Sequence, residues 1–158
     1  MKKLKMAAVD FERLGQLLRK VDFFESLTVR EMEKILPYVT LYQYKAGEKV
    51  FKEGTEGDAF YIIYDGCVSV RAKDKKSFFG FSQEVDRIEA GDCFGEMALL
   101  SNAKRNAAIV CEAPTRLFML LASDFNYVLN QNPAFADKIA KIAEQRRVHR
   151  REVDSQVD

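Results

Sequence analysis

Gly91-Asp92-Cys93-Phe94-Gly95-Glu96-Met97-Ala98-Leu99-Leu100-Ser101-Asn102-Ala103-Lys104-Arg105-Asn106-Ala107-Ala108-Ile109-Val110 reads as a strand that stops at glycine, a short helical turn, a polar loop and a new strand opened by an arginine. Gly95, lacking a Cβ, lets backbone come close to a bound group. Amides at the start of the 96–100 turn are expected to point outward without intrahelical partners, which favours an anion there. Arg105 stands at the base of the next strand, where its guanidinium can fork onto two phosphate oxygens. Glu96, an acceptor when ionised, suits a ligand that also offers a hydroxyl, such as a ribose 2′-OH. Taken singly, each residue has a plainer reading: Arg105 as a surface or ion-pair residue, Glu96 as a turn cap or partner of Lys104 or Arg105, Gly95 as a bulge. Jointly they place an anion site and a hydroxyl acceptor on one loop.

Upstream of this loop the pattern is that of short strands. Thr40-Leu41-Tyr42-Gln43-Tyr44, Lys49-Val50-Phe51, Phe60-Tyr61-Ile62-Ile63-Tyr64, Val68-Ser69-Val70 and Val85-Asp86-Arg87-Ile88 are rich in β-branched and aromatic residues and punctuated by glycine. Downstream, Ala107-Ala108-Ile109-Val110-Cys111 and Leu117-Phe118-Met119-Leu120-Leu121 continue the series. Strands recurring at about 8–12-residue spacing suggest a sandwich or barrel. Asp65-Gly66, between two such runs, reads as a type I′ hairpin turn.

Helical spacing flanks the strands. Phe11, Leu14, Leu17 and Leu18 share a face, followed by Val21, Phe23 and Phe24. Ser26 or Thr28 can cap a second helix, with Glu31 in capping-box position behind Thr28 and Pro37 near its end. After the strands, Ser123 can cap one helix and Asn132-Pro133 starts another, whose apolar face is Phe135, Ile139, Ile142 and Ala143. The expected organisation is an N-terminal helical segment over 1–38, a β-roll over 39–122 and C-terminal helices over 123–158, together one α+β domain.

The totals narrow the function. Of 158 residues, 47% are hydrophobic and 31% charged, with 25 basic against 24 acidic side chains for a net charge of +1. That balance is globular and argues against a nucleic-acid surface. No run reaches the roughly 18 apolar residues that cross a bilayer, and Asp10, Glu12 and Arg13 interrupt the start before a signal-peptide core forms. A cytoplasmic location is expected, with Cys67, Cys93 and Cys111 as buried thiols. The single histidine, His149, leaves little material for a metal cage or a histidine-based nucleophile, so no catalysis, metal or cofactor is expected. Glu53, Glu56 and Asp58 read as turn formers rather than an acid–base pair.

Phe94-Gly95-Glu96-Met97-Ala98-Leu99-Leu100 with Arg105-Asn106-Ala107-Ala108 resembles the phosphate-binding cassette of cyclic-nucleotide-binding domains, found in kinase regulatory subunits, gated channels and catabolite-activator-type regulators. Ala46-Gly47-Glu48-Lys49-Val50-Phe51-Lys52-Glu53-Gly54, Gly57-Asp58-Ala59-Phe60-Tyr61-Ile62-Ile63 and Asp65-Gly66-Cys67-Val68-Ser69-Val70 extend the resemblance upstream. It covers roughly residues 21–143 and implies an eight-stranded antiparallel, jelly-roll-like β-roll with N-terminal helices and C-terminal lid helices, the cassette spanning 94–108. By the same resemblance Arg105 grips exocyclic phosphate oxygens and Glu96 accepts from the 2′-OH. Gly95, Met97, Ala98, Asn106 and Ala107 complete the cradle, and Ala108, Ile139 and Ile142 are candidate base contacts.

Two positions depart from the family pattern: Lys104 stands where proline usually precedes the arginine, and Asn106 replaces a small residue. Ala108 stands where threonine or serine often meets guanine, so the resemblance implies a sensor of cAMP rather than cGMP. The alternative is a degenerate member serving as a protein-interaction adaptor without ligand. The chain ends at Asp158 without a DNA-binding domain, so the output is expected in an effector protein, a fused output domain or a homodimer. Phe78, Phe79 and Phe81 form one possible docking patch, and the basic run 145–151 reads as a solvated helix end.

Overall fold

The computed structural model describes residues 1–73, 82–101 and 103–156. The Phe78–Phe79–Phe81 patch lies outside the described residues, as do the side chains of 146–151 in the basic run. Two helices, α1 (Ala8–Lys20) and α2 (Val29–Ile35), follow a short N-terminal strand. Thr28 caps α2: its Oγ1 accepts from the Glu31 amide at 3.1 Å while Glu31 Oε1 accepts from the Thr28 amide at 2.9 Å, the reciprocal box read from the sequence. Two helices follow the strands, α4 (Ala122–Gln131) and α5 (Pro133–Gln156), with the short α3 (Met97–Leu100) inside the cassette. Leu121, not Ser123, precedes the first turn of α4.

The strands form two antiparallel sheets. The first has the order β1 (Lys2–Leu4), β2 (Thr40–Tyr44), β9 (Thr115–Leu121), β4 (Ala59–Asp65), β7 (Cys93–Phe94). The second runs β3 (Lys49–Phe51), β8 (Ala108–Cys111), β5 (Cys67–Lys73), β6 (Ser82–Glu89). This is an α+β roll with helices at both ends. It has nine strands among the described residues, one more than the resemblance implies. The basic N-terminal stretch forms β1, which pairs along β2 with Lys2 opposite Gln43 and Leu4 opposite Leu41. Three residues carry too weak a local pattern to show this. The neighbouring strand supplies the hydrogen-bond template.

Asp65-Gly66 is not a hairpin. β4 pairs with β7 and β9, whereas β5 pairs with β6 and β8, so the chain changes sheets at this corner. A type I′ turn needs positive φ at both central residues. Gly66 has φ +94°, and no non-glycine residue among those described has positive φ. A Cβ on Gly66 would stand 2.4 Å from Thr115 Oγ1. Asp65 instead accepts from the Arg116 amide at 3.2 Å and Arg116 Nε at 2.8 Å, tying the corner to β9.

Two apolar layers result. Between the sheets lie Tyr44, Ala59, Tyr61, Ile63, Val68, Phe94, Ile109, Cys111 and Leu117. On the outer face of the five-stranded sheet, Leu41, Phe60, Ile62, Phe118 and Leu120 meet the helices through Leu14, Leu17, Phe24, Phe125, Phe135 and Ile139. β4 therefore buries both faces, which is why its sequence is a continuous apolar run rather than an alternation. Phe24 is fully buried, edge-on to Phe60 at 5.7 Å and to Phe125 at 6.1 Å between ring centroids. Phe11, read as part of the buried face of α1, is instead 40% exposed at its rim.

Candidate functional site

The backbone around Arg105 is braced against the loop before β4. The Arg105 amide donates to Thr55 O at 2.7 Å, the Gly54 amide donates to Arg105 O at 2.7 Å, and the Gly57 amide donates to Ala103 O at 3.3 Å. With the main chain held on both sides, the Arg105 side chain is directed inward and is only 7% exposed. Its Nη2 donates to Ala59 O at 2.6 Å, and its guanidinium carbon lies 4.0 Å from the centroid of the Phe51 ring.

The charge of this guanidinium is incompletely compensated. Asp58 Oδ1 is 3.8 Å from Nη2, and the Asp58 side chain is 79% exposed. Tyr61 lies close by, but burial pushes its phenol up to about 12, so it stays neutral. Arg105 Nε is buried with no hydrogen-bond partner. Burial lowers the guanidinium pKa, while Tyr61 and Asp58 oppose that shift. A buried donor left unsatisfied is costly, and an anion offers it both a counter-charge and an acceptor.

A cavity of about 540 Å³ opens beside it. Gly95, Glu96, Met97, Ala98, Arg105, Asn106 and Ala107 all line this one space. Gly95 has φ +77°, the left-handed region that glycine tolerates. Glu96 immediately precedes α3 and is half-buried. The Ala98 amide donates to Gly95 O at 3.1 Å, so Ala98 offers the cavity its side chain while its N–H is engaged within the turn. Asn106 is exposed, and Ala107 is buried.

The candidate base contacts are placed differently. Ala108 begins β8 opposite Arg71 and is not among the cavity-lining residues. Ile139 is 4% exposed within the helical core, and Ile142 packs against the same cluster. In this arrangement the described side chains of α5 contribute to the helix–sheet layer, and none of them lines the cavity. The far wall comes from residues that the sequence reading did not assign to the site: Phe51 on β3, Val70 on β5, Asp86 and Ile88 on β6, and Ile109 on β8. Phe51 and Val70 fall within stretches that carry the resemblance, but nothing local marks the five as cavity-lining, because they converge only through sheet pairing. The cassette also touches the other layer, since Leu99 of α3 is buried in the helical core and Leu100 packs against it.

Comparison with known proteins accords with this geometry. The family described as cyclic nucleotide-binding domain matches residues 41–132. A cAMP-dependent protein kinase regulatory subunit of Mycosarcoma maydis is 37% identical over 100 residues, covering 63% of this chain and 18% of the relative. A cyclic nucleotide-gated potassium channel of Rhizobium etli is 31% identical over 138 residues, covering 87% of this chain and 36% of the relative. The chain thus spans a minor part of these curated relatives. Among solved structures, the regulatory domain of Toxoplasma gondii PKA crystallised with cAMP superposes with a TM-score of 0.71 at 26% identity, over 78% of this chain and 46% of that one. A cyclic nucleotide-binding domain from Methylobacillus flagellatus shares the fold, with a TM-score of 0.74 at 22% identity over 97% of this chain and 84% of that one. The chain belongs to the cyclic nucleotide-binding domain family.

Proposed function

We propose that this chain is a non-catalytic cytoplasmic sensor that binds cAMP in the cavity beside Arg105 and reports occupancy through its C-terminal helices. The observation that carries the reading is the Arg105 guanidinium, buried at the cavity wall with Nε unpartnered. An exocyclic phosphate supplies both the charge and the acceptor that this group lacks. Glu96 lines the same cavity and accepts from the ribose 2′-OH, while Gly95, Met97, Ala98, Asn106 and Ala107 shape the cradle. The preference for cAMP over cGMP rests on the family resemblance at Ala108, which does not itself line the cavity.

Transmission runs through α3. Met97 and Ala98 face the cavity while Leu99 and Leu100 face the helical core, so a cassette that moves on binding must repack α4 and α5. Binding shifts the helices only to the extent that the nucleotide prefers one cassette position. The output then belongs to an effector protein, a fused domain or a second copy of the chain. The adaptor reading has one observation in its favour: Arg105 already donates to Ala59 O and stacks on Phe51. Titration with cAMP and cGMP, combined with hydrogen exchange of residues 122–145, separates the two. The sensor reading expects binding and altered helix protection. Absence of binding supports the adaptor instead.

A further inference from the structure

The cavity wall facing the cassette carries one carboxylate, Asp86, on the edge strand β6. In the β5–β6 ladder Val68 pairs with Ile88 and Val70 with Asp86, so Asp86 shares a face with Ile88 and with the buried Val68. A register irregularity between Val70 and Arg71 follows directly, where Val70 pairs with Asp86 but Arg71 pairs with Glu84. This bulge ends the regular alternation immediately beyond Asp86. Asp86 is an exposed residue of this edge strand, and it lines the cavity beside Val70 and Ile88. Its Oδ1 accepts from the Arg87 amide at 2.8 Å, which orients the carboxylate.

Resting on the cyclic-nucleotide reading, we propose that Asp86 selects the base, with Oδ2 accepting from the 6-amino group of adenine and rejecting the 6-oxo group of guanine. The chemistry follows from the purine edge: adenine presents an amino donor at position 6 where guanine presents a carbonyl acceptor. A carboxylate attracts the first and repels the second. Guanine also offers two adjacent donors at N1 and N2, and a carboxylate that met them would give the opposite preference, for cGMP. Val70 and Ile88 flank the carboxylate with apolar surface, which suits the faces of a planar base. Arg105 and Glu96 occupy the cassette wall, so phosphate and sugar are read on one side of the cavity and the base on the other.

The full chain is titrated calorimetrically with cAMP, cGMP and the cyclic monophosphate of unsubstituted purine riboside, as wild type, Asp86→Ala, Asp86→Arg and Arg105→Ala. The wild type should favour cAMP over cGMP by at least about tenfold, and Asp86→Ala should bring that ratio toward parity. Asp86→Arg, whose guanidinium donates to the guanine O6 and N7, should turn the preference toward cGMP. The unsubstituted purine should bind wild type and Asp86→Ala within about twofold of each other, because it has no group for Oδ2 to read. Arg105→Ala should weaken every ligand alike. An unchanged cAMP:cGMP ratio in Asp86→Ala, with Arg105→Ala still weakening both, overturns this inference and leaves the sensor reading standing. Asp86 would then be one of the charges that protect an edge strand, visible as self-association of the variants. A cGMP preference lost in Asp86→Ala also overturns it, by showing a carboxylate on N1 and N2. Failure of the wild type to bind any of the three removes both readings.

Discussion

A methyl group placed on Gly95 would stand 2.8 Å from Nη1 of Arg105 and 3.0 Å from the carbonyl oxygen of Ala59, so the glycine and the guanidinium share one packing space. The same glycine has φ +77°, where a side chain adds strain of about 1–3 kcal/mol. Gly95→Ala should therefore lower cAMP affinity by at least about tenfold, by displacing the guanidinium, and lower the melting temperature as well. Calorimetry and thermal unfolding of the same sample check both effects. Unchanged affinity would show that the guanidinium does not depend on this close approach.

Glu96 is expected to act on the sugar alone. Glu96→Ala should weaken cAMP by about tenfold, a charged hydrogen bond being worth about 1.5–3 kcal/mol net. The 2′-deoxy analogue lacks the partner hydroxyl, so its affinity should change little. Competition binding with both nucleotides gives the comparison, and equal losses for the two would remove the assigned role.

Leu99 is 7% exposed and belongs to the helical core although it sits in the cassette. Leu99→Ala should cost about 2–5 kcal/mol of stability. It should retain cAMP binding within a few-fold while reducing the ligand-induced change in hydrogen exchange over 122–145. Full retention of that change would place the coupling elsewhere than in this packing.

Acid should loosen the helical flanks. The Ala7 amide holds the Asp10 carboxyl below its ordinary 3.8, with Tyr64 OH contributing at 3.0 Å, and the Thr28 amide holds Glu31 below its ordinary 4.5, aided by Lys138 on α5. A carboxyl depressed in the folded state stabilises fully above its unfolded value, and that contribution is lost as pH falls through the lower folded value. Stability should accordingly fall below about pH 4, and Asp10→Asn should show a shallower decline between about pH 5 and about pH 2 than the wild type. Denaturant titrations across that range provide the check. Identical pH profiles would mean that Asp10 does not anchor α1.

The legible part of the chain is the part written locally. Gly95, Glu96 and Arg105 lie within one loop, and the capping box of α2 needs only Thr28 and Glu31, so neighbours in sequence announce them. Sheet assignment is not local. Asp65-Gly66 looks like a hairpin until the pairing of β4 with β9 and of β5 with β6 shows that the chain crosses between sheets. β1 and β7 are three and two residues long and exist through their partners, so no periodicity reveals them. Asp86 is hidden for the same reason, since its place on the cavity wall follows from the Val70 pairing and the adjoining bulge. Ile139 and Ile142 show the converse. Their helical spacing is plain, but the spacing alone does not say whether the face meets a ligand or the sheet layer where both are packed.

The most direct test compares cAMP binding to the wild type and to Arg105→Ala by calorimetry, with circular dichroism confirming that both are folded. The expected result is clear binding by the wild type and affinity lower by at least about tenfold in the variant, because the phosphate loses the buried guanidinium that faces it. Equal affinity in the two proteins, or no binding by a folded wild type, would contradict the account.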